Sequence, residues 1–257
     1  MKKNFIKLIG IIAAIVIAVV VVIILVTNSS KRATEAEVQK GIDYIKTREA
    51  MDPNEVEKKI FEGKREKMIE EIMNNIKEDP DYVWKALADI NTVLLGDSRT
   101  AGFRVYEFMD ESKVIASEGH IMEDIVDYDK IRTANPNLVV MQFGLNDLGA
   151  LHTTPEEFAA AACEIADNIQ AIVPDAYIYI QSVLPPSPDG STTIFTYDMV
   201  TEWSDAEIKY YKEHGYRYLD INYLVLDHPE LYEPDGYHFN YYFYQYWAEA
   251  ILKQYIY

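Results

Sequence analysis

The strongest constraint on the fold of this chain lies between Thr92 and Leu219, where five short apolar runs alternate with longer amphipathic stretches. The runs are Thr92 to Leu95, Lys113 to Ala116, Leu138 to Phe143, Ala176 to Gln181 and Arg217 to Leu219. Each has the length of a strand, and continuous apolarity suits strands covered on both faces. Between them, Thr154-Pro155-Glu156-Glu157 reads as a capping box, and Phe158, Ala162, Ile165, Ile169 and Ile172 follow on one helical face. A last helix follows Asn240 and buries Tyr244, Trp247, Ile251 and Leu252. Repeated strand–helix units predict an α/β fold with a mostly parallel sheet and helices on both sides. Such sheets carry their sites at the carboxyl ends of the strands.

Upstream the texture differs. Leu8 to Val26 holds no charged residue, and at a helical rise of about 1.5 Å per residue it nearly spans a bilayer core of about 30 Å. A transmembrane helix is expected there. Lys2, Lys3 and Lys7 favour an N-terminus inside and a remainder outside the cell, a bias that Lys31 and Arg32 weaken. Ile23 to Thr27 offers no small-residue cleavage site, so an uncleaved signal anchor is the better reading. From Ser29 to Ile90 the chain is charged and helical in pattern. Asp52-Pro53-Asn54-Glu55 forms a second capping box, with Val56, Ile60, Met68, Ile72 and Ile76 at helical spacing after it. The expected organisation is a basic end plus anchor over 1–28, a helical stalk or spacer over 29–90, and one catalytic domain over 91–257.

Composition removes several function classes. A net charge of −18 repels a phosphate backbone, which excludes nucleic acid as a natural partner. Cys163 is the only cysteine, so the chain forms no internal disulfide, no cysteine-based zinc site and no iron–sulfur cluster. Its neighbours Ala160, Ala161, Ala162 and Ile165 place it in a core.

Three blocks carry chemistry. Gly96-Asp97-Ser98 follows the first apolar run directly, so the serine stands at a strand's carboxyl end and opens a helix. Gly144-Leu145-Asn146-Asp147 ends the third run and reaches the same edge of the sheet. Asp235-Gly236-Tyr237-His238 lies near the C-terminus, where a short turn can bring a carboxylate onto an imidazole. A serine hydroxyl needs a base to become a nucleophile, and amide donors beside it stabilise an oxyanion. Alone, each block is also ordinary turn or capping chemistry.

Together, and in this order, the three blocks resemble the SGNH/GDSL hydrolase family. The resemblance runs from about Asn91 to the C-terminus and implies a three-layer α/β/α, flavodoxin-like sandwich. It also implies Ser98 as nucleophile, His238 as base and then acid, and Asp235 as its orienter. The implied oxyanion hole consists of Ser98 N–H, Asn146 and a backbone glycine after the second strand, best matched by Gly119. The chain departs from the family name at Arg99, where leucine is customary, and it lacks the Gly-x-Ser-x-Gly elbow of the commoner α/β-hydrolases. No metal or cofactor is required.

Other features are open. Arg99 in a helix's first turn opposes the macrodipole, so it either binds an anionic part of the substrate or pairs with Asp97 or another acid. The loop Pro185-Pro186-Ser187-Pro188-Asp189-Gly190 either lines the cleft or forms a rigid turn. The tyrosines of Tyr241 to Trp247 either stack on sugars or, at helical spacing, fill a core. His120, His152, His214 and His228 lack metal-ligand spacing and read as surface or loop residues. The expected function is an extracellular, membrane-anchored serine esterase that removes O-acetyl groups from carbohydrate. Lipid or small-ester acylhydrolysis, acyl transfer and a non-catalytic glycan- or protein-binding module are the alternatives.

Overall fold

The computed structural model describes residues 16–23, 35–49, 53–149, 154–188 and 195–256. Five strands, β1 (Thr92–Gly96), β2 (Val114–Ala116), β3 (Leu138–Gln142), β4 (Tyr177–Gln181) and β5 (Tyr218–Leu219), form one parallel sheet. Their order is β2-β1-β3-β4-β5. Register is fixed by pairs such as Leu94 with Val140 and Val140 with Tyr179. Every strand sits within a residue or two of the apolar run that announced it.

Because successive strand side chains point to opposite faces, the sheet builds two cores. On one side Leu94, Val140, Tyr179 and Leu219 meet α3 (Tyr82–Ile90), α4 (Ser98–Val105) and α10 (Phe243–Ile256). On the other, Val93, Leu95, Val139, Met141, Ile178 and Ile180 meet α6 (Tyr128–Ala134), α7 (Pro155–Ile172) and α8 (Tyr197–His214). The short helices α5 (Met122–Ile125) and α9 (Asn222–Asp227) complete the connections. Helix α7 starts as its capping box requires, with Thr154 Oγ1 accepting from the Glu157 amide at 3.1 Å. Phe158, Ala162, Ile165 and Ile169 are buried in it, and so is Cys163. In α10, Phe243, Tyr244, Trp247, Ile251 and Leu252 are buried, while Tyr241, Tyr242 and Tyr246 are exposed.

The chain separates into two compact units, 1–64 and 65–257. This moves the boundary expected at Ile90. Ile69, Ile72 and Ile76 near the end of α2 (Pro53–Glu78), together with Val83, Ala86, Leu87 and Ile90 of α3, are buried hydrophobics of the larger unit. Met68 was expected on the apolar face and is exposed; Ile69 takes that place. Within the first unit, residues 16–23 and α1 (Glu35–Glu49) are helical, and Val16 to Ile23 are largely exposed apolar side chains. Among the described residues no helix is long and apolar enough to cross a membrane. Most of the expected span from Leu8 to Val26 lies outside the described residues, as do Asp52 of the second capping box and the side chains of Val56 and Ile60.

Candidate active site

The site grows from the end of β1. Gly96 has to be small there, because a Cβ would lie 2.5 Å from the Gln142 carbonyl of β3 and 2.0 Å from Thr100 Oγ1. Asp97 then leaves the strand in extended conformation and caps α4, its Oδ1 accepting the Arg99 amide at 2.9 Å. That cap starts the helix at Ser98 and leaves the serine hydroxyl at the sheet's carboxyl edge. Burial raises the Asp97 carboxyl above its ordinary range, opposed by Arg99 and the bond to the Arg99 amide.

Opposite Ser98 stands the turn from Glu233 to His238. It is closed by backbone bonds from Glu233 N to His238 O at 2.7 Å and from Gly236 N to Glu233 O at 2.9 Å. Within it, Asp235 Oδ1 accepts the amides of Tyr237 at 2.8 Å and His238 at 2.9 Å. The other oxygen, Oδ2, lies 2.6 Å from His238 Nδ1, and His238 Nε2 lies 2.8 Å from Ser98 Oγ. A carboxylate only accepts, so Nδ1 is the protonated nitrogen and Nε2 is left to accept from the serine hydroxyl. Burial pushes the Asp235 carboxyl up, but its bonds to the His238 imidazole and to the His238 and Tyr237 amides outweigh that, and it titrates below the usual carboxylate range.

The third wall comes from the loops after β2 and β3. Asn146 Nδ2 donates to the His120 carbonyl at 3.0 Å, and Asp147 Oδ1 accepts the Met122 amide at 2.9 Å, so the two loops are tied together. One N–H of the Asn146 amide remains for a ligand. Gly144 turns the chain out of β3 with φ of +126° and no room for a side chain, its Cβ position being 2.0 Å from Val183 Cγ2. Gly119, with φ of +71°, lines the same cleft as Ser98, Asn146 and His238.

Two clefts meet at this point and share Ser98, Asn146 and His238. The first, of about 320 Å³, is walled by Leu145, Phe195 and Tyr237. The second, of about 450 Å³, is bounded by Val105, Tyr106, Glu118, Gly119 and Glu233. Such an arrangement can deprotonate a hydroxyl, direct it at a carbonyl and hold the resulting oxyanion.

Arg99 lines the first cleft but is anchored inward. Its side chain is 1% exposed, and the guanidinium Nη1 donates to the Leu184 carbonyl, with Cζ 5.6 Å from the Phe239 ring centre. In place of an ion pair, Asp97 takes the Arg99 backbone amide. Burial lowers the Arg99 pKa, against the pull of Asp97. The described part of the loop after β4 forms a rigid turn, and Phe195 beyond it lines the first cleft. Pro185 O accepts from the Tyr232 hydroxyl at 2.7 Å, and Ser187 N donates to Gly236 O at 2.8 Å, so the loop braces the turn that carries Asp235 and His238. Asp189, Gly190 and His152 lie outside the described residues. His120, His214 and His228 fall in loops or at a helix end, and His214 and His228 stack on Tyr210 and Tyr246.

Sequence reasoning left out the walls of the clefts. Leu145 and Tyr237 lay inside the recognised blocks and Glu118 next to Gly119, so proximity marked them; Tyr106, Glu233 and Phe195 carried no local signal.

The chain is similar to several solved structures. A Streptococcus pneumonia protein named for platelet activating factor is 16% identical over 74% of this chain and 98% of its own, with a TM-score of 0.51. A GDSL-like lipase from Bacteroides thetaiotaomicron is 17% identical over 67% of this chain and 96% of its own, with a TM-score of 0.47. A lipase/acylhydrolase from Enterococcus faecalis is 19% identical over 63% and 93%, with a TM-score of 0.48. No curated protein matches the sequence. Residues 117–246, which include Gly119, Asn146, Asp235 and His238 but begin after Ser98, match the GDSL-like lipase/acylhydrolase family. The match spans about half of the chain, and the chain belongs to this family of ester hydrolases.

Proposed function

We propose that the protein is a serine esterase that removes O-acetyl groups from carbohydrate at the outer face of a membrane. The observation that carries the mechanism is the unbroken hydrogen-bond chain from Asp235 through His238 to Ser98. Ser98 attacks the ester carbonyl as His238 Nε2 takes its proton, and the Asp235 carboxylate stabilises the imidazolium. The oxyanion is held by Ser98 N–H, Gly119 N–H and Asn146 Nδ2. His238 then protonates the departing alcohol, and water, activated by the same imidazole, releases acetate from Ser98.

Mutation separates these roles. Ser98→Ala is expected to keep the fold and lose nearly all turnover of 4-nitrophenyl acetate. Asn146→Ala is expected to lower kcat on the order of 10²- to 10³-fold, the usual effect of one oxyanion donor. Near-normal turnover in Ser98→Ala overturns the assignment.

The Leu145, Phe195 and Tyr237 wall favours a second reading, a longer acyl chain in the first cleft. A series of nitrophenyl esters distinguishes the two, since acetate specificity requires kcat/KM to fall as the acyl chain lengthens. The membrane location is supported by the uncharged stretch from Leu8 to Val26, by the lysines before it and by the exposed apolar helix over 16–23. Extraction of the protein from membranes by carbonate, without detergent, speaks against it.

A further inference from the structure

Beside the second cleft, aromatic side chains continue outward in contact with one another. Tyr106 lines the cleft, and its ring meets Tyr241 edge-on at 5.7 Å between centroids. Tyr241 in turn meets Tyr242 edge-on at 5.6 Å and Phe108 at 4.5 Å, and Phe108 stacks on Trp84 at 4.1 Å. Tyr241 and Tyr242 are 49% and 67% exposed, just before a helix that buries Phe243, Tyr244 and Trp247. Two exposed aromatic rings in contact with the lining of a reactive cleft point to a binding surface.

The chemistry around these rings selects the occupant. The cleft's described lining contains the carboxylates Glu118 and Glu233 and no lysine or arginine. Glu233 Oε1 accepts from the Tyr106 hydroxyl at 3.3 Å. Carboxylate oxygens accept from hydroxyl groups, whereas they repel the phosphate of a lipid headgroup. Aromatic faces with polar tips suit a ligand that is apolar on one face and hydroxylated at its edge. A sugar ring has both properties, whereas an anionic lipid headgroup would meet these carboxylates with like charge.

We propose that Tyr241 and Tyr242, continuing from Tyr106, form a subsite that stacks the sugar units next to the one bearing the ester. This rests on the carbohydrate esterase reading and adds that the alcohol is an oligomer or polymer, held beyond its reacting unit. Neither tyrosine belongs to the catalytic machinery, so chemistry on a small ester does not depend on them.

The test compares the full chain with the Tyr241→Ala/Tyr242→Ala double variant and with Tyr241→Phe. The substrates are O-acetylated xylo- and chito-oligosaccharides and 4-nitrophenyl acetate. In the double variant KM for the oligosaccharides is expected to rise about 3- to 10-fold, the scale of aromatic stacking, with kcat and the small-ester rate little changed. Tyr241→Phe keeps the ring and is expected to keep the wild-type KM. An unchanged KM on oligosaccharides overturns the subsite, and so does an equal loss on both substrate types. If the wild-type protein turns over the small ester but releases no acetate from any oligosaccharide, the carbohydrate reading itself falls and takes the subsite with it.

Discussion

At the scale of single residues, Asp235 and Glu207 show two opposite uses of a carboxyl group. Asp235 is half exposed and spends both oxygens on His238 and its turn, which favours the ionised form. Glu207 is fully buried on α8, and burial holds its pKa well above the ordinary value; the Val183 amide and Trp203 indole only partly offset this, and Asp147 adds to it. The Tyr211 hydroxyl beside it is likewise pushed up by burial. Glu207 therefore favours the protonated form in the folded protein more than in the unfolded chain. The folded state then binds more protons, so this group's contribution is complete below the unfolded carboxylate range and is lost as pH rises. Glu207→Gln removes the loss without changing the shape. In thermal unfolding the variant is expected to gain stability relative to the wild type as pH rises above the ordinary carboxylate value of 4.5. A difference that stays constant as pH rises would show that the fold does not favour protonated Glu207.

At the scale of elements, the loops after β1, β2 and β3 are joined more tightly than their composition suggests. Gly144 makes this possible by turning at a φ that only glycine adopts without strain, directly against Val183. Gly144→Ala introduces both backbone strain and a methyl 2.0 Å from Val183 Cγ2. The expected cost is roughly 2–4 kcal/mol of stability, with a loss of kcat as well, because Asn146 lies two residues further on. Urea unfolding and 4-nitrophenyl acetate kinetics on the same variant check both; a stable variant with normal kcat contradicts the packing described. The blocks at Ser98 and Asn146 were legible in sequence because each ends an apolar strand and parallel strands bring their carboxyl ends to one edge, whereas Asp235 and His238 follow no strand and were placed only by the resemblance of the three blocks together. The position of Arg99 was not legible. A charged residue beside a nucleophile reads as solvent-facing or ligand-facing, and only the Leu184 carbonyl and Phe239 ring, far away in sequence, show where the guanidinium goes. The same holds for the loop at Pro185, whose partners Tyr232 and Gly236 come from the turn it supports.

At the scale of the whole molecule, the boundary of the catalytic unit follows from its core. Residues 65–90 read as part of a stalk because lysines and glutamates dominate their solvent face, and that composition conceals a narrow apolar stripe. The stripe is decided by what it packs on. Ile72, Ile76, Val83, Leu87 and Ile90 share one core with Phe243, Trp247 and Ile251 of α10. Full burial of an aliphatic side chain contributes about 1.5–3 kcal/mol, so the group as a whole rivals the roughly 5–15 kcal/mol net stability of a domain. A chain shortened to residues 65–257 retains the whole cluster and is expected to unfold cooperatively and to hydrolyse 4-nitrophenyl acetate. One shortened to 91–257 keeps every residue of the three motifs but exposes the face of α10 that α3 covers. It is expected to lose cooperative unfolding by circular dichroism and, because α10 packs on α4 through Phe103 and Tyr244, to lose turnover too. Cooperative unfolding of the 91–257 chain, with a midpoint close to that of 65–257, would mean that residues 65–90 lie on the catalytic unit without supporting it.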